Sequence, residues 1–167
     1  MDAKVFAAMM TPQFEAVLSM IGRAVRRCPE EAWETPVGTW PLWRVAMHVL
    51  GYTDLYAAPS PKEWAVDKGL FPGGKNGLYE GNWDAPVERA AAAAYAATVR
   101  DNVVRALEAE TEKSLAGPTG FSWVKGTRAG LYVYNLRHAA HHAGQLTAAL
   151  RRADVAVGWV MEGWSTR

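Results

Sequence analysis

Histidine is the residue type in this chain that points most directly to chemistry, and three of the four histidines, His138, His141 and His142, stand within five residues. The surrounding segment has the apolar spacing of a helix, on which residues four apart project from the same face. Two imidazoles on one face can reach a single metal ion at about 2.0–2.1 Å. The spacing leaves two pairs open, His138 with His142 or His138 with His141, because residues three apart also lie close together.

The fourth histidine, His48, lies on an earlier predicted helix and could supply a third ligand. Three imidazole ligands leave a coordination position open for water or substrate, which is typical of catalytic metal sites rather than structural ones. An ion held by neutral imidazoles keeps its full charge, so it can lower the pKa of a bound water to about 7 or bind a thiol as thiolate. We therefore predict one divalent transition metal, zinc first and nickel second, with water or a thiol on the metal as the reacting group.

Other catalytic arrangements find little support in the sequence. No serine stands on a sharp glycine-flanked turn of the kind that carries a nucleophile. The segment Gly73-Gly74-Lys75 lacks the spacing and the preceding strand of a phosphate-binding loop. Asp54 is the acid nearest to the predicted site. It either accepts a hydrogen bond from a ligand imidazole or faces solvent, and we expect it to face solvent.

The composition argues against several classes of function. A net charge of +1 and dispersed basic residues do not resemble the footprint of a nucleic-acid-binding protein. Cys28 is the single cysteine, so the chain can form neither an internal disulfide nor a thiolate metal site, which fits a reducing compartment. Neither a signal peptide nor an apolar run of about 18–20 residues is recognised. We expect a cytoplasmic protein with no membrane partner.

Four long helical patterns, with no alternating strand pattern, predict an all-α four-helix bundle that forms a single domain over residues 1–167. The predicted helices cover residues 2–28, 41–57, 84 to 107 or 115, and 127–152, with one further turn at 30–33. Bundles build metal sites from side chains on facing helices. The second and fourth predicted helices, which carry the histidines, would therefore face each other.

Caps and breakers mark the ends of these helices. Asp2 and Asp84 are predicted N-caps of the first and third helices, and Thr39 is the predicted cap of the second. Pro12 interrupts the first helical pattern. It either kinks that helix or begins a new one with Thr11 as its cap.

The connection between the second and third helices, residues 58–84, is rich in glycine, proline and aromatic residues. A connection this long is either a functional lid or a plain crossover, and we predict a helical turn at 62–66 inside it. The eight tryptophans either seal the ends of the core or line a pocket, and we include Trp43 and Tyr52 as pocket candidates. We expect Trp159 and Trp164 in the tail to fold back onto the bundle.

The sequence His138-Ala-Ala-His141-His142-Ala-Gly144-Gln145-Leu146, followed by Leu150-Arg151, resembles the signature of the DinB-like (YfiT-like) metalloenzyme family. Members carry His-x-x-x-His-x-Gly-Gln on the last core helix. A further histidine follows a tryptophan-led start on the second helix, which is similar to Trp40-Pro-Leu-Trp43-Arg-Val-Ala-Met-His48. This chain departs from the pattern where Ala143 replaces an arginine, and where Arg152-Ala153-Asp154 stands in place of a glycine.

The resemblance implies that His48, His138 and His142 are the metal ligands, with His141 a neighbour behind them. It implies that Gly144 allows close helix approach and that Gln145 forms a hydrogen bond across the bundle. Members of the family are similar to transferases and isomerases that use a thiol such as bacillithiol or mycothiol. They usually form homodimers.

The hypothesis is thus a metal-dependent enzyme that acts on a small molecule as a hydrolase or a thiol-dependent S-transferase. Aromatic residues of the 58–84 segment would shield its site. Two alternatives stay open. The first is a non-enzymatic dimeric bundle, a ligand-binding or stress-response protein whose site is idle. The second treats the histidines as a proton-linked or haem-binding pair.

Overall fold

Four long helices account for most of the structure, a computed structural model that describes residues 2–80 and 86–165. The described helices are α1 (Ala3–Arg27), α2 (Glu30–Trp33), α3 (Leu42–Ala57), α4 (Gly74–Glu80), α5 (Arg89–Ala109), α6 (Glu112–Ala116) and α7 (Arg128–Arg151). Two short strands, β1 (Pro36–Val37) and β2 (Trp40–Pro41), pair antiparallel. The predicted all-α bundle is confirmed. The helices α4 and α6 and the two-stranded hairpin were not predicted.

Helix α1 is continuous from Ala3 to Arg27, so Pro12 lies inside one helix and Thr11 does not begin a second one. The Asp2 side chain caps it as predicted, because its Oδ1 accepts a hydrogen bond from the Val5 N–H at 2.9 Å. The stripe of apolar residues at helical spacing is buried, as in Phe14 and Ile21, which are fully buried.

One helix among the described residues, α1, is long and apolar enough to cross a membrane by length and composition alone. Its most apolar window has a mean hydropathy of 1.3, so the expectation that no such stretch exists was wrong. Half of that window is buried inside the structure. A core helix of a bundle passes the same test, and the packing of α1 accounts for its hydropathy.

The start of α3 differs from the prediction. Thr39 does not cap the helix, because it lies in the turn of the β1–β2 hairpin, where Gly38 has a φ of 70°. Such a φ favours glycine. The helix begins at Leu42, directly after Pro41, and the Leu42 N–H is bonded to the Thr35 carbonyl at 2.9 Å. The hairpin therefore fixes the segment that carries Trp40 immediately before the helix.

The third long helix, α5, begins at Arg89 and ends at Ala109. The predicted cap Asp84 lies outside the described residues. The pattern that continued to Leu115 belongs to a separate helix, α6. Thr111 and Ser114 form a capping box, each side chain bonding the backbone N–H of the other, and this starts α6.

The core is formed where α1 and α3 each pack against α5 and α7. Trp43, the predicted pocket residue, is buried in that core with 6% of its surface exposed. The tail runs along α1, where the Ser165 N–H donates to Ser19 Oγ at 2.8 Å. Trp164 packs on the core as predicted, but Trp159 is 78% exposed, contrary to prediction. Val157 and Val160, on either side of it in the tail, are buried instead.

A buried arginine ties the ends of three helices together. The Arg128 guanidinium, in the first turn of α7, donates to the carbonyls of Tyr56, Ala57 and Ala58 at the end of α3, at 2.7–3.1 Å. Its Nε lies 2.8 Å from Oε1 of Glu110, just beyond α5. Both side chains are less than a tenth exposed. The guanidinium thereby satisfies carbonyls that the end of a helix leaves without partners.

Candidate metal centre

Three half-buried histidines from two helices meet at one point. His48 is on α3, and His138 and His142 are one turn apart on α7. The Nε2 of His138 lies 3.2 Å from that of His48 and 3.1 Å from that of His142. Within the described part of the chain, these three residues form the group of His, Cys, Asp and Glu side chains that could hold a metal ion.

Packing between α3 and α7 sets this geometry. The Asn135 amide, fully buried, donates to the Thr53 carbonyl at 3.1 Å and fixes the register of the two helices. Ala139 and Ala143 are buried on the same helix, and their small side chains let α7 lie close to its neighbours. Asn135 is a positioning residue that the sequence reasoning missed. Its place three residues before His138 was the available signal.

The proton positions suit a metal ligand set. Nδ1 of His142 lies 2.7 Å from Oε1 of Gln145, which can only accept, so Nδ1 carries the proton and Nε2 presents a lone pair. The predicted bond of Gln145 across the bundle was wrong, because its partner is on the same helix. Gly144 provides no close helix approach either, because a Cβ there would meet nothing within 4 Å.

An ion at the meeting point of the three Nε2 atoms would relieve the repulsion between their lone pairs. Neutral imidazoles can place only one proton between each pair of facing nitrogens. The Nδ1 of His138 is buried and has no hydrogen-bond partner among the described residues. Its ring is held instead by Tyr134, which stacks on it with an interplanar angle of 9°. The donor set fits a borderline transition metal.

Burial keeps all three imidazoles neutral. It lowers the pKa of His48 to about 3, and the positive charges of protonated His142 and His138 and of Arg44 act in the same direction. Burial likewise lowers the pKa of His138 to about 4. Burial lowers the pKa of His142 as well, although the bond to Gln145 opposes this change. At neutral pH no proton competes with a metal ion for these nitrogens.

The lowered pKa values predict acid-sensitive stability of the metal-free protein. Unfolded histidine titrates near pH 6.5, well above the folded values of about 3 and 4, so the unfolded state takes up protons first as the pH falls. Stability should be fully present above about pH 6.5 and decline toward pH 4. Replacing His48 with Gln should flatten that decline, as measured by urea unfolding midpoints between pH 4 and 7. An equally steep decline in the variant would contradict the assignment.

Aromatic rings surround the three histidines. Trp40 and Tyr52 lie 5.2 and 4.7 Å from the His48 ring, between centroids, and Tyr134 stacks on His138 at 6.3 Å. Tyr52, a predicted pocket residue, is therefore in place. Trp40 and Tyr134 were missed, although Tyr134 stands one helical turn before His138.

The remaining predicted residue beside the ligands, His141, is exposed. Its ring lies 5.0 Å from that of His142, edge to face, but it is not part of the cluster of three ligand nitrogens. The spacing alternative that paired His138 with His141 therefore has no support in the geometry.

Asp54 does not face solvent, so that expectation was wrong. It is 5% exposed, and its carboxylate accepts hydrogen bonds from Trp64 Nε1 and the Tyr95 hydroxyl at 2.8 Å and from Asn102 Nδ2 at 2.7 Å. The donors come from α5 and from the segment after α3, so the carboxylate is directed toward α5 rather than toward the histidines. Burial, followed by the charge of Asp54, raises the pKa of Tyr95.

The same network places the connection between α3 and α5. Trp64 and Phe71 pack on each other, and Phe71 lies edge to face with Tyr95 of α5. These two rings therefore cover the α3–α5 side. The prediction that they shield the histidines was wrong, and Trp83 lies outside the described residues. The helical turn predicted at 62–66 is a turn at residues 61–63.

A four-helix bundle in which two facing helices bring three imidazole nitrogens to one point defines a class, helical-bundle proteins with a three-histidine cluster that could bind a metal ion. The chain belongs to the DinB superfamily, whose sequence model matches residues 13–146 and so includes all three histidines.

A DinB-like protein of Bacillus subtilis (YjoA) has a similar crystal structure, with a TM-score of 0.64 over 94% of this chain and 99% of that one. At 14% identity it shows a shared fold alone. No curated protein matches the chain. The predicted family resemblance is confirmed.

Proposed function

We propose that the protein is a metal-dependent enzyme that acts on a small molecule at the His48–His138–His142 site, as a hydrolase or as a thiol-dependent S-transferase. The observation that carries this proposal is the convergence of the three Nε2 atoms, with separations of 3.1 and 3.2 Å about His138. The hydrogen bond that Nδ1 of His142 donates to Gln145 supports the proposal, because metal-ligating histidines are usually oriented by a partner of this kind.

The ion we propose is divalent, zinc first and nickel second. Held by three neutral imidazoles, the ion would act as a Lewis acid that favours deprotonation of water or a thiol near neutral pH. The chain's own residues have separate tasks. Gln145 fixes the proton of His142, the Tyr134 ring orients His138, and Trp40 and Tyr52 exclude water from one side of His48.

We further propose that the partners are a small-molecule substrate, a low-molecular-weight thiol and a second copy of the chain, in the cytoplasm. Membrane and nucleic acid have no part in this proposal. Light scattering on the eluting protein after size exclusion would test the homodimer. A mass of one chain at every concentration examined would contradict it.

The function is tested by elemental analysis of the purified, untagged protein and of the His48→Ala variant, each before and after incubation with zinc or nickel. We expect about one ion per chain, lost in the variant, because two remaining imidazoles bind a divalent ion weakly. The loaded protein would then be assayed with activated esters and with thiols plus small electrophiles. Absence of metal in both proteins after incubation would overturn the proposal.

A further inference from the structure

Three buried polar atoms beside the histidine site have no hydrogen-bond partner among the described residues. They are Nδ1 of His138, Oδ1 of Asn135 and Oγ1 of Thr53. The Asn135 and Thr53 side chains are fully buried. A buried polar group without a partner costs free energy, so such groups in native proteins are nearly always satisfied by protein atoms or by ordered water. Because these three atoms do not bond one another, they indicate a bound partner.

One hydrogen bond and one helical turn bring the three residues together. Nδ2 of Asn135 donates to the Thr53 carbonyl at 3.1 Å, so the Asn135 amide lies against the turn of α3 that carries the Thr53 hydroxyl. His138 follows Asn135 by three residues on α7, and side chains at this spacing are neighbours. Helical side chains lean toward the N-terminus, so the His138 ring lies over the turn that contains Asn135. The stacking of His138 on Tyr134 agrees with this direction.

The two ring nitrogens of His138 have different surroundings. Its Nε2 faces the Nε2 atoms of His48 and His142 at 3.2 and 3.1 Å, so Nδ1 is directed away from that meeting point. A metal-ligating histidine nearly always donates its second ring N–H to a carboxylate, a carbonyl or a water. For His142 this acceptor is Oε1 of Gln145, at 2.7 Å. For His138 no atom of the described residues has that role.

Water has the chemistry that fits all three atoms. It accepts a hydrogen bond from an N–H and donates one to an amide oxygen at the same time, while a hydroxyl can take either role. A buried water typically makes about three hydrogen bonds to groups that are otherwise unsatisfied. Ions fit poorly, because the Nδ1–H of a metal-bound His138 repels a cation and Oδ1 of Asn135 repels an anion.

We propose that one buried water binds between α3 and α7, where it accepts from Nδ1–H of His138, donates to Oδ1 of Asn135 and bonds Oγ1 of Thr53. The inference rests on the proposed function, because His138 carries its proton on Nδ1 when Nε2 binds a metal ion. Asn135 thus positions the metal ligand through the water as well as through the register of the helices. The water does for His138 what Gln145 does for His142.

The water is tested directly on zinc-loaded, isotope-labelled protein by NMR. We expect the Nδ1–H of His138 to exchange slowly and to show a dipolar cross-peak with a long-lived water. A high-resolution crystal structure should show ordered density within hydrogen-bond distance of all three atoms. An Nδ1 without a proton in the zinc-loaded protein, or a protein atom as its acceptor, would overturn the inference.

Thr53→Val tests the contact from α3, because valine has nearly the same shape as threonine and lacks the hydroxyl. If the hydroxyl bonds the water, the change should lower the midpoint of urea unfolding, and this is the result we expect. If the hydroxyl has no partner, its removal should raise the midpoint, because a buried unsatisfied group is lost. A raised midpoint would therefore contradict the proposal.

Zinc affinity tests the positioning role of Asn135. Asn135→Leu should weaken zinc binding by about tenfold in competition with a chelator, since the loss of an orienting partner reduces metal affinity by about 10–100-fold. Asn102→Leu is the matched control. It removes an amide that joins α5 to α3 through Asp54, at 2.7 Å, so it should lower stability and leave zinc affinity unchanged. Equal losses of affinity in the two variants, or no loss in Asn135→Leu, would count against the water.

A conservative variant distinguishes the hydroxyl from the shape of the side chain. Thr53→Ser keeps the hydroxyl and should retain zinc affinity, whereas Thr53→Val should lose part of it. Thermal unfolding shows whether Asn135→Leu is folded, and the two Thr53 variants decide the matter if it is not.

Metal content measured on the same samples separates the two ideas. If the wild-type protein binds no zinc, the proposed function fails, and the crystal density and the sign of the Thr53→Val effect still decide whether the water is bound. If zinc binds with the same affinity in wild type and Asn135→Leu, the proposed function stands and the water-mediated contact is wrong.

Discussion

Replacing His142 with alanine should abolish stoichiometric metal binding, whereas the same change at His141 should leave about one ion per chain. The two residues are adjacent and chemically identical, but only His142 directs a nitrogen to the point shared with His48 and His138. Loss of an orienting partner alone reduces metal affinity by about 10–100-fold, so loss of a ligand should cost more than about 100-fold. Elemental analysis and competition with a chelator measure the difference.

This pair of variants distinguishes a metal site from a general effect of histidine content. Both variants remove one imidazole from α7, so nonspecific binding to surface histidines would fall equally in each. Replacing Gln145 with Leu provides an intermediate case, because the proton on Nδ1 of His142 would lose its acceptor while the three ligands remain. Equal metal content in the His142 and His141 variants would contradict the assignment.

Replacing Arg128 with Met should destabilise the fold by about 3–5 kcal/mol, because it leaves the Glu110 carboxylate buried without the cation that pairs with it. Three carbonyls at the end of α3 would lose their donor at the same time. A loss of this size is a large share of the roughly 5–15 kcal/mol that stabilises an ordinary protein. Urea unfolding followed by circular dichroism would measure it.

Arg137→Met is the control for this change, because Arg137 is exposed on the same helix. Its replacement should lower the free energy of unfolding by less than about 0.5 kcal/mol. Glu110→Gln in the Arg128→Met background should recover part of the loss, since it removes the unpaired charge. A cost for Arg128→Met as small as that of the control would contradict this account.

Acid offers a second measure of the same ion pair. Burial alone would raise the pKa of Glu110, but hydrogen bonds from Ser114, Arg128 and Tyr132 outweigh it and hold the pKa below its usual value. The carboxylate therefore contributes stability above the unfolded pKa of about 4.3, and this contribution is lost as the pH falls through the lower folded value. The loss of stability in acid that is due to Glu110 should therefore be smaller in Arg128→Met than in the wild-type protein.

The helices and the shared face of the histidines on α7 could be predicted because they depend on local spacing. The pattern from Arg128 to Arg151 gave both the helix and the shared face of His138 and His142. The choice of His142 over His141 came from resemblance rather than spacing, and the structure agrees because the turn of α7 directs His141 outward.

The contacts that could not be predicted are those between distant residues. Asp54 was expected to face solvent because nothing near it in the sequence identifies Trp64, Tyr95 and Asn102 as its donors. Trp40 was missed as a neighbour of His48 because its position depends on a short hairpin with only two residues in each strand. The role of Arg128 likewise depends on carbonyls some 70 residues away, at the end of α3.

The placement of the rings around the histidines bears on how this protein can diverge. Trp40, Tyr52 and Tyr134 are only partly buried, and they stand on a hairpin and two helices whose core residues are other side chains. Substitutions at such positions usually cost little stability. Under the proposed function, substrate preference can therefore change by exchange of these three rings while the three histidines and the bundle persist. Descendants of one ancestral chain could in this way come to act on unrelated compounds.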